Sequence, residues 1–248
     1  MARAAGIKGG DTLKVEELSQ YGKTLSGLPR EAMRSQRKIL LREIRNHFGV
    51  LGVVPFFVKT FARQRALRKD YPEAYQKALA ISDDAAKEIT MLIAMYQVVA
   101  RREGKGNAYE FLKNIFQQVA VYSMPALYQI DDLARCEGDP FDNFAKFNVA
   151  FFNAMNEEGT WIVDRMERED DKLTIIVTEC ANCVVGNAFD CPEIAQLGCD
   201  HDLAGYPVIL DKVEAEFRRP HTLAKGDEYC DFMFYRKGTA PNTEHLNK

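Results

Sequence analysis

The feature that most constrains the fold is a change of hydrophobic period near residue 160 of the 248-residue chain. Before that point apolar residues recur every three to four positions, as in Met33, Leu40, Ile44 and Phe48, which is typical of helices that bury one face. After it, a β-branched run at residues 173–178 and alternating segments at residues 213–218 and 229–235 are typical of strands. The pattern predicts an α+β fold, with a helical N-terminal part packed on a C-terminal antiparallel sheet.

The same pattern predicts how the chain is divided. Residues 1–29 are glycine-rich and polar and are interpreted as a flexible arm, and residues 30–248 form a single domain. Within it, residues 30–158 are helical, residues 159–237 are the sheet-rich, cysteine-bearing part and residues 238–248 are a tail. Gly49 and Gly104 interrupt the helical pattern, and Pro140 is expected in the first turn of a new helix. Residues 225–228 are expected to turn between the last two strands.

The charge distribution is uneven, although the net charge is only −3. Residues 1–70 hold 15 Lys and Arg against 6 Asp and Glu, and the remainder holds 18 against 30. A nucleic-acid-binding arm would gather its basic residues in one block, whereas these are spread over helical turns. We therefore expect a solvated basic face, or two halves that attract each other, and no nucleic-acid partner.

No segment predicts a membrane span or a secretory signal. The longest apolar run, residues 50–58, is interrupted by Gly52 and Pro55, whereas a spanning helix needs about 20 apolar residues. The amphipathic residues 56–67 could lie on a membrane surface, but packing against the domain is the favoured interpretation. We expect a cytoplasmic chain with reduced thiols, without stable membrane insertion, that could form a homo-oligomer.

Five of the six cysteines follow residue 160, namely Cys180, Cys183, Cys191, Cys199 and Cys230. In a reducing compartment such clustering favours metal binding or catalysis over disulfides. The pair Cys180-x-x-Cys183 could begin a zinc site, but no second C-x-x-C follows, so buried structural cysteines remain an alternative. A further cluster, of five phenylalanines, lies at residues 141–152 and indicates either core packing or an aromatic wall around a small ligand.

Spaced motifs in the last 75 residues or so resemble the L-2-amino-thiazoline-4-carboxylic acid hydrolase family. They are Cys-x-x-Asp at residues 199–202, Thr-x-x-x-Gly at residues 222–226 and Gly-x-x-x-Cys-x-Phe at residues 226–232. The final hairpin is also similar to that of 4-vinyl-reductase-type ligand-binding domains, some of which hold zinc through cysteines. Thr222, beside His221, occupies the place of a cysteine in that pattern.

The resemblance implies a hydrolase that opens a small heterocyclic amidine or thiazoline acid without a cofactor. It implies that Cys199 is the nucleophile or a metal ligand, that Asp202 is the base or holds the amidinium, and that Cys230 approaches from the sheet. Cys199 and Asp202 are expected in an irregular loop. Arg219 is expected to bind the substrate carboxylate, unless it forms only a surface ion pair. The other expected substrate-binding residues are Thr222, His221, Phe144 and Phe151.

Two further possibilities stay open at this point. His201 and His221 could act as acid and base near neutral pH. The chain could also be a non-catalytic small-molecule-binding or sensor-like domain with a structural zinc held by its cysteines, among which Cys199, His221 and Cys230 are a conceivable ligand set.

Overall fold

The computed structural model describes residues 13–24 and 27–242 and confirms the α+β class. Seven helices precede the sheet within this part of the chain: α1 (Arg30–Phe48), α2 (Val53–Asp70), α3 (Pro72–Ile81), α4 (Asp83–Glu103), α5 (Lys105–Leu127), α6 (Ile130–Leu133) and α7 (Pro140–Glu157). Two more, α8 (Ala181–Ala188) and α9 (Glu193–Ile209), lie between strands.

The helix boundaries follow local chemistry. Gly49 ends α1 and Gly104 ends α4, with φ of +72° and +87°, a backbone conformation that glycine adopts without steric cost. Pro140 occupies the first turn of α7, as predicted, and the Asp139 side chain caps that helix by accepting a hydrogen bond of 2.9 Å from the Asp142 N–H.

The sheet has four strands, β1 (Trp161–Glu169), β2 (Lys172–Cys180), β3 (Ala215–Arg218) and β4 (Cys230–Arg236). Their spatial order is β1-β2-β4-β3, and every neighbouring pair is antiparallel, with Ile175 opposite Phe232. The predicted hairpin of the last two strands is confirmed. Its connection is longer than the expected turn, because residues 219–229 form a loop that returns over the end of the sheet.

Strand β1 was not predicted from the sequence. It lies at the sheet edge, and its residues after Val163 are mostly charged and exposed, so the apolar alternation that signals a half-buried strand is weak. Pairing with the strongly apolar β2 supplies the stability that the local sequence lacks.

Helices α7 and α9 both place aromatic side chains against the sheet. The rings of Phe144 and Phe152 lie 5.2 Å and 5.0 Å from those of Phe234 and Phe232, and Tyr206 of α9 also contacts Phe234 at 5.2 Å. Most of the phenylalanine cluster is therefore core. A second hydrophobic core lies among helices α1, α2, α3, α4, α5 and α8.

The ends of the chain are only partly described. Residues 1–12 of the predicted arm and 243–248 of the predicted tail lie outside the described residues. Within the described part of the arm, Val15 and Leu18 are buried against the α7 side of the core, and the Gln20 N–H donates to Gln129 Oε1 at 2.9 Å.

The amphipathic segment of α2 buries one face and exposes another. Phe56 and Leu67 are in the core, whereas Val54, Val58 and Phe61 are exposed. Across the described residues, no helix combines the length and apolarity required to cross a membrane.

Candidate active site

A cavity of about 860 Å³ lies between the helical part and the sheet. Helices α4, α5 and α9, strands β2 and β4 and the loop between β3 and β4 all contribute to its wall. Most of the wall is apolar, and a few polar groups converge on it, which is typical of a small-molecule site. The polar or sulfur-bearing residues of the wall include Ser123, Cys180, Asn182, Cys183, Cys199, His201, Asp202, Arg219, Thr222 and Cys230.

Cys199 and Asp202 lie on helix α9, so the expectation of an irregular loop was wrong. Residues three apart on a helix are neighbours on one face, and this face of α9 forms part of the cavity wall. The helical position brings the two side chains together more rigidly than a loop would.

Arg219 is a buried partner of Asp202 and not a surface ion pair. Its side chain is 1% exposed, and its Nη1 donates to Asp202 Oδ2 at 2.9 Å while its Nη2 donates to the Cys199 carbonyl oxygen at 3.2 Å. The guanidinium also lies near the rings of Phe217 and Phe232. Burial is the largest single effect and would lower the pKa of Arg219, but attraction to Asp202, the hydrogen bond to it and the effects of Cys199 and Cys230 together raise the pKa.

Thr222 bridges the two predicted catalytic thiols. Its Oγ1 lies 3.3 Å from Cys199 Sγ and accepts from Cys230 Sγ at 3.6 Å. Burial raises the pKa of Cys199 to about 11, against the opposing effect of Arg219, and burial likewise raises the pKa of Cys230. Both groups are therefore thiols at neutral pH, and neither rests as a nucleophilic thiolate.

His201 follows Asp200 on α9 and lines the same cavity. Its Nε2 is 2.9 Å from Ser123 Oγ, and its Nδ1 is 3.7 Å from Asp202 Oδ1. From the sequence, this histidine was expected only as a possible acid or base beside the main set. The structure places it in the cavity wall next to Asp202.

Two of the expected substrate-binding residues do not line the cavity. The His221 side chain is 44% exposed and its Nδ1 bonds Asp231 Oδ2 at 2.8 Å, so it is turned away toward β4. Phe144 is fully buried between Tyr128 and Phe234 in the core. Phe151, two helical turns further along α7, does reach the wall.

Sequence reasoning did not place Cys180 and Cys183 in this site. Both line the cavity where β2 passes into α8, together with Asn182 and Trp161. Their signal is the C-x-x-C spacing directly after a predicted strand, which the sequence left open as the start of a zinc site or as buried structural cysteines.

The zinc-binding alternative depends on a cluster of metal ligands. Among residues 13–24 and 27–242, no group of three or more histidine, cysteine or acidic side chains is arranged to hold a metal ion. In the conceivable set of Cys199, His221 and Cys230, the His221 ring is 44% exposed and bonds the buried Asp231, and it does not line the cavity.

Comparison with known proteins gives one family match. The model of the L-2-amino-thiazoline-4-carboxylic acid hydrolase family matches residues 84–234. No curated protein and no solved structure matches the chain significantly, and the comparisons do not show the resemblance to 4-vinyl-reductase-type domains. The match covers more than half of the 248 residues and includes α5, α9 and the sheet, the elements that enclose most of the cavity. The chain therefore belongs to the L-2-amino-thiazoline-4-carboxylic acid hydrolase family.

Proposed function

We propose that this protein is a hydrolase that opens a small thiazoline-type or cyclic amidine acid inside the cavity. The family name supports hydrolysis of such a ring. The observation that carries the proposal is the Arg219–Asp202 ion pair in the wall of an otherwise largely apolar cavity. One substrate that carries both a carboxylate and a protonated amidine presents the two charges complementary to this pair.

Binding follows from these two charges. The guanidinium of Arg219 attracts the substrate carboxylate, and the carboxylate of Asp202 accepts hydrogen bonds from the amidinium. Because the wall around them is apolar, both interactions are stronger than in water. Phe151 and the other apolar residues of the wall contact the uncharged part of the ring.

The reaction requires water to add to the amidine carbon and the ring carbon–sulfur bond to break. The water proton passes to a base, the carbon becomes the carbonyl of a urea-type group, and the departing sulfur takes up a proton to become a thiol. Asp202 is positioned to accept the water proton, and His201, 3.7 Å from it, can supply or receive one. Cys199 and Cys230, both protonated, act here as hydrogen-bonding groups that position Thr222.

The test uses L-2-amino-thiazoline-4-carboxylate and a thiol reagent that reports ring opening, with enzyme far below substrate concentration. Wild-type protein is expected to release one thiol per ring consumed. Asp202→Asn is expected to lower kcat by about 10²-fold or more, since general acid–base groups contribute about 10²–10⁴-fold. Asp131→Asn, at an exposed ion pair with Lys212, is the matched control and should retain wild-type turnover.

Two outcomes would count against the proposal. Saturable binding of the thiazoline without release of thiol would favour the non-catalytic binding domain. The absence of both binding and turnover would exclude this substrate class. Cys199→Ser separates the roles of that residue. The variant keeps a hydroxyl donor, so we expect turnover within about tenfold of wild type, whereas loss of turnover would favour Cys199 as the nucleophile.

A further inference from the structure

The cavity contains a second group of sulfur atoms that the proposed hydrolysis does not use. Cys180 is the last residue of β2 and the N-cap residue of α8, and Cys183 lies in the first turn of that helix. Both are partly exposed, whereas Cys136, Cys191, Cys199 and Cys230 are buried. Cys180 and Cys183 are thus the two least buried cysteine residues of the six, and both line the cavity.

Several groups near Cys180 favour its thiolate. The Cys183 thiol, the backbone N–H groups of Asn182 and Cys183 and the Trp161 side chain each lower the pKa of Cys180. The two N–H groups belong to the start of α8, where the helix dipole also favours negative charge. The Cys183 hydrogen bond leads these effects, which outweigh burial and lower the pKa of Cys180 to about 7.

Cys183 has the opposite protonation preference. The hydrogen bond to Cys180 and burial raise the pKa of Cys183, with smaller contributions from Cys230 and Cys199 across the cavity. One sulfur of the pair is therefore stabilised as a thiolate while the other keeps its proton. This is the division between attacking and resolving thiols that thiol–disulfide exchange requires.

We propose that Cys180 and Cys183 form a redox-active dithiol that reacts with low-molecular-weight disulfides entering the cavity. The Cys180 thiolate attacks one sulfur of the small disulfide, a mixed disulfide forms, and the other half leaves as a thiol after taking up a proton. Cys183 then loses its proton and attacks Cys180 Sγ, which releases the second small thiol. The small disulfide is reduced by two electrons, and the protein dithiol is oxidised to a Cys180–Cys183 disulfide.

Geometry supports this pairing over others in the cavity. Two cysteines separated by two residues at a helix start are close enough for a disulfide, and the exposed side of the pair faces the cavity. Cys199 and Cys230 are both bonded to the buried Thr222 and are protonated, so they are poor competitors for the incoming disulfide.

The experiment treats reduced full-length protein with oxidised glutathione, then alkylates the remaining thiols after denaturation and maps the peptides by mass spectrometry. Wild-type protein is expected to lose two of its six thiols and to yield a Cys180–Cys183 crosslink. Cys183→Ser should stop at one glutathione on Cys180, and Cys180→Ser should yield neither product. Cys136→Ser, at a buried thiol outside the cavity, is the matched control and should behave as wild type.

A second measurement needs no variant. The rate at which iodoacetamide alkylates Cys180 in the native protein should rise with pH to half its maximum near pH 7, because only the thiolate reacts. The titratable groups whose charge state is linked to that of Cys180 are Cys183 and, across the cavity, Cys230.

Three results would overturn the proposal. They are six thiols remaining in the native wild type, a crosslink between Cys199 and Cys230 in place of the expected one, and a metal ion that co-purifies with the pair and protects it from alkylation. None of these bears on ring hydrolysis, so the two proposals can fail separately.

Discussion

Removing the carboxylate of Asp202 leaves a buried positive charge without its ionic partner. Arg219 is 1% exposed and bonds Asp202 at 2.9 Å. In Asp202→Ala the guanidinium keeps its bond to the Cys199 carbonyl and its contacts with two aromatic rings, but it loses the carboxylate that its Nη1 bonds. We expect this change to destabilise the fold as well as to stop turnover.

The magnitude follows from burial. Removing one partner of a buried ion pair costs about 3–5 kcal/mol of unfolding free energy. Asp202 is itself 18% exposed to the cavity, where water can solvate Arg219 in part, so we expect the lower limit, about 3 kcal/mol. For a domain of this size, each kcal/mol lowers Tm by about 2–4 °C, which gives a fall of about 6–12 °C.

The assay is thermal and urea denaturation followed by circular dichroism. A second substitution tests the cause, because Arg219→Met in the Asp202→Ala background removes the buried positive charge and lets an apolar side chain contact Phe217 and Phe232. The double variant should be more stable than Asp202→Ala alone, which gives a favourable coupling between the two positions. The exposed ion pair between Asp131 and Lys212 is the control, and the Tm of Asp131→Ala should equal that of wild type.

The reasoning would be refuted in either of two ways. Asp202→Ala could melt within about 2 °C of wild type, which would mean that the pair contributes no more than a surface pair does. Alternatively, the double variant could lose as much stability as the two single variants together, which would mean that the buried positive charge is not the cause.

Further predictions concern the packing of α5 against α9. In Gly205→Ala the new methyl group would overlap the buried Met124 side chain, so we expect a loss of about 1–3 kcal/mol in urea denaturation. Gly106→Ala, in the first turn of α5 with open space around it, should gain up to about 1 kcal/mol, and the reverse order of the two would contradict the packing described. The Tyr109 hydroxyl donates to the buried Asp200 at 2.5 Å, so Tyr109→Phe should cost about 1–3 kcal/mol, and an unchanged midpoint would show that water replaces that bond.

Agreement between sequence and structure was best where the signal is local. Helical periodicity, the glycines that end α1 and α4 and the alternation in β4 all depend on residues within one or two turns, and each predicted its element. Strand β1 was missed because a charged edge strand depends on its partner and not on its own pattern.

The candidate site was predicted in part. The spacing of Cys199 and Asp202 and the motifs around Thr222 and Cys230 identified residues that do line one cavity. His221, which precedes Thr222, and Phe144, which is on α7 with Phe151, are directed elsewhere. His221 bonds Asp231 and the Phe144 ring packs against Phe234, and neither contact could be predicted from the local sequence.

The order of residues alone determined the fold class, the family and the set of thiols near the C-terminal hairpin, because periodicity and motif spacing are properties of the chain itself. Only the tertiary structure decided which thiols keep their protons. Acidity depends on burial and on nearby donors, so burial raises the pKa of Cys199, while Cys183, the backbone N–H groups at the start of α8 and Trp161 lower the pKa of Cys180. The ion pair between the buried Arg219 and Asp202 likewise joins two elements of the fold, so a local sequence pattern does not predict it.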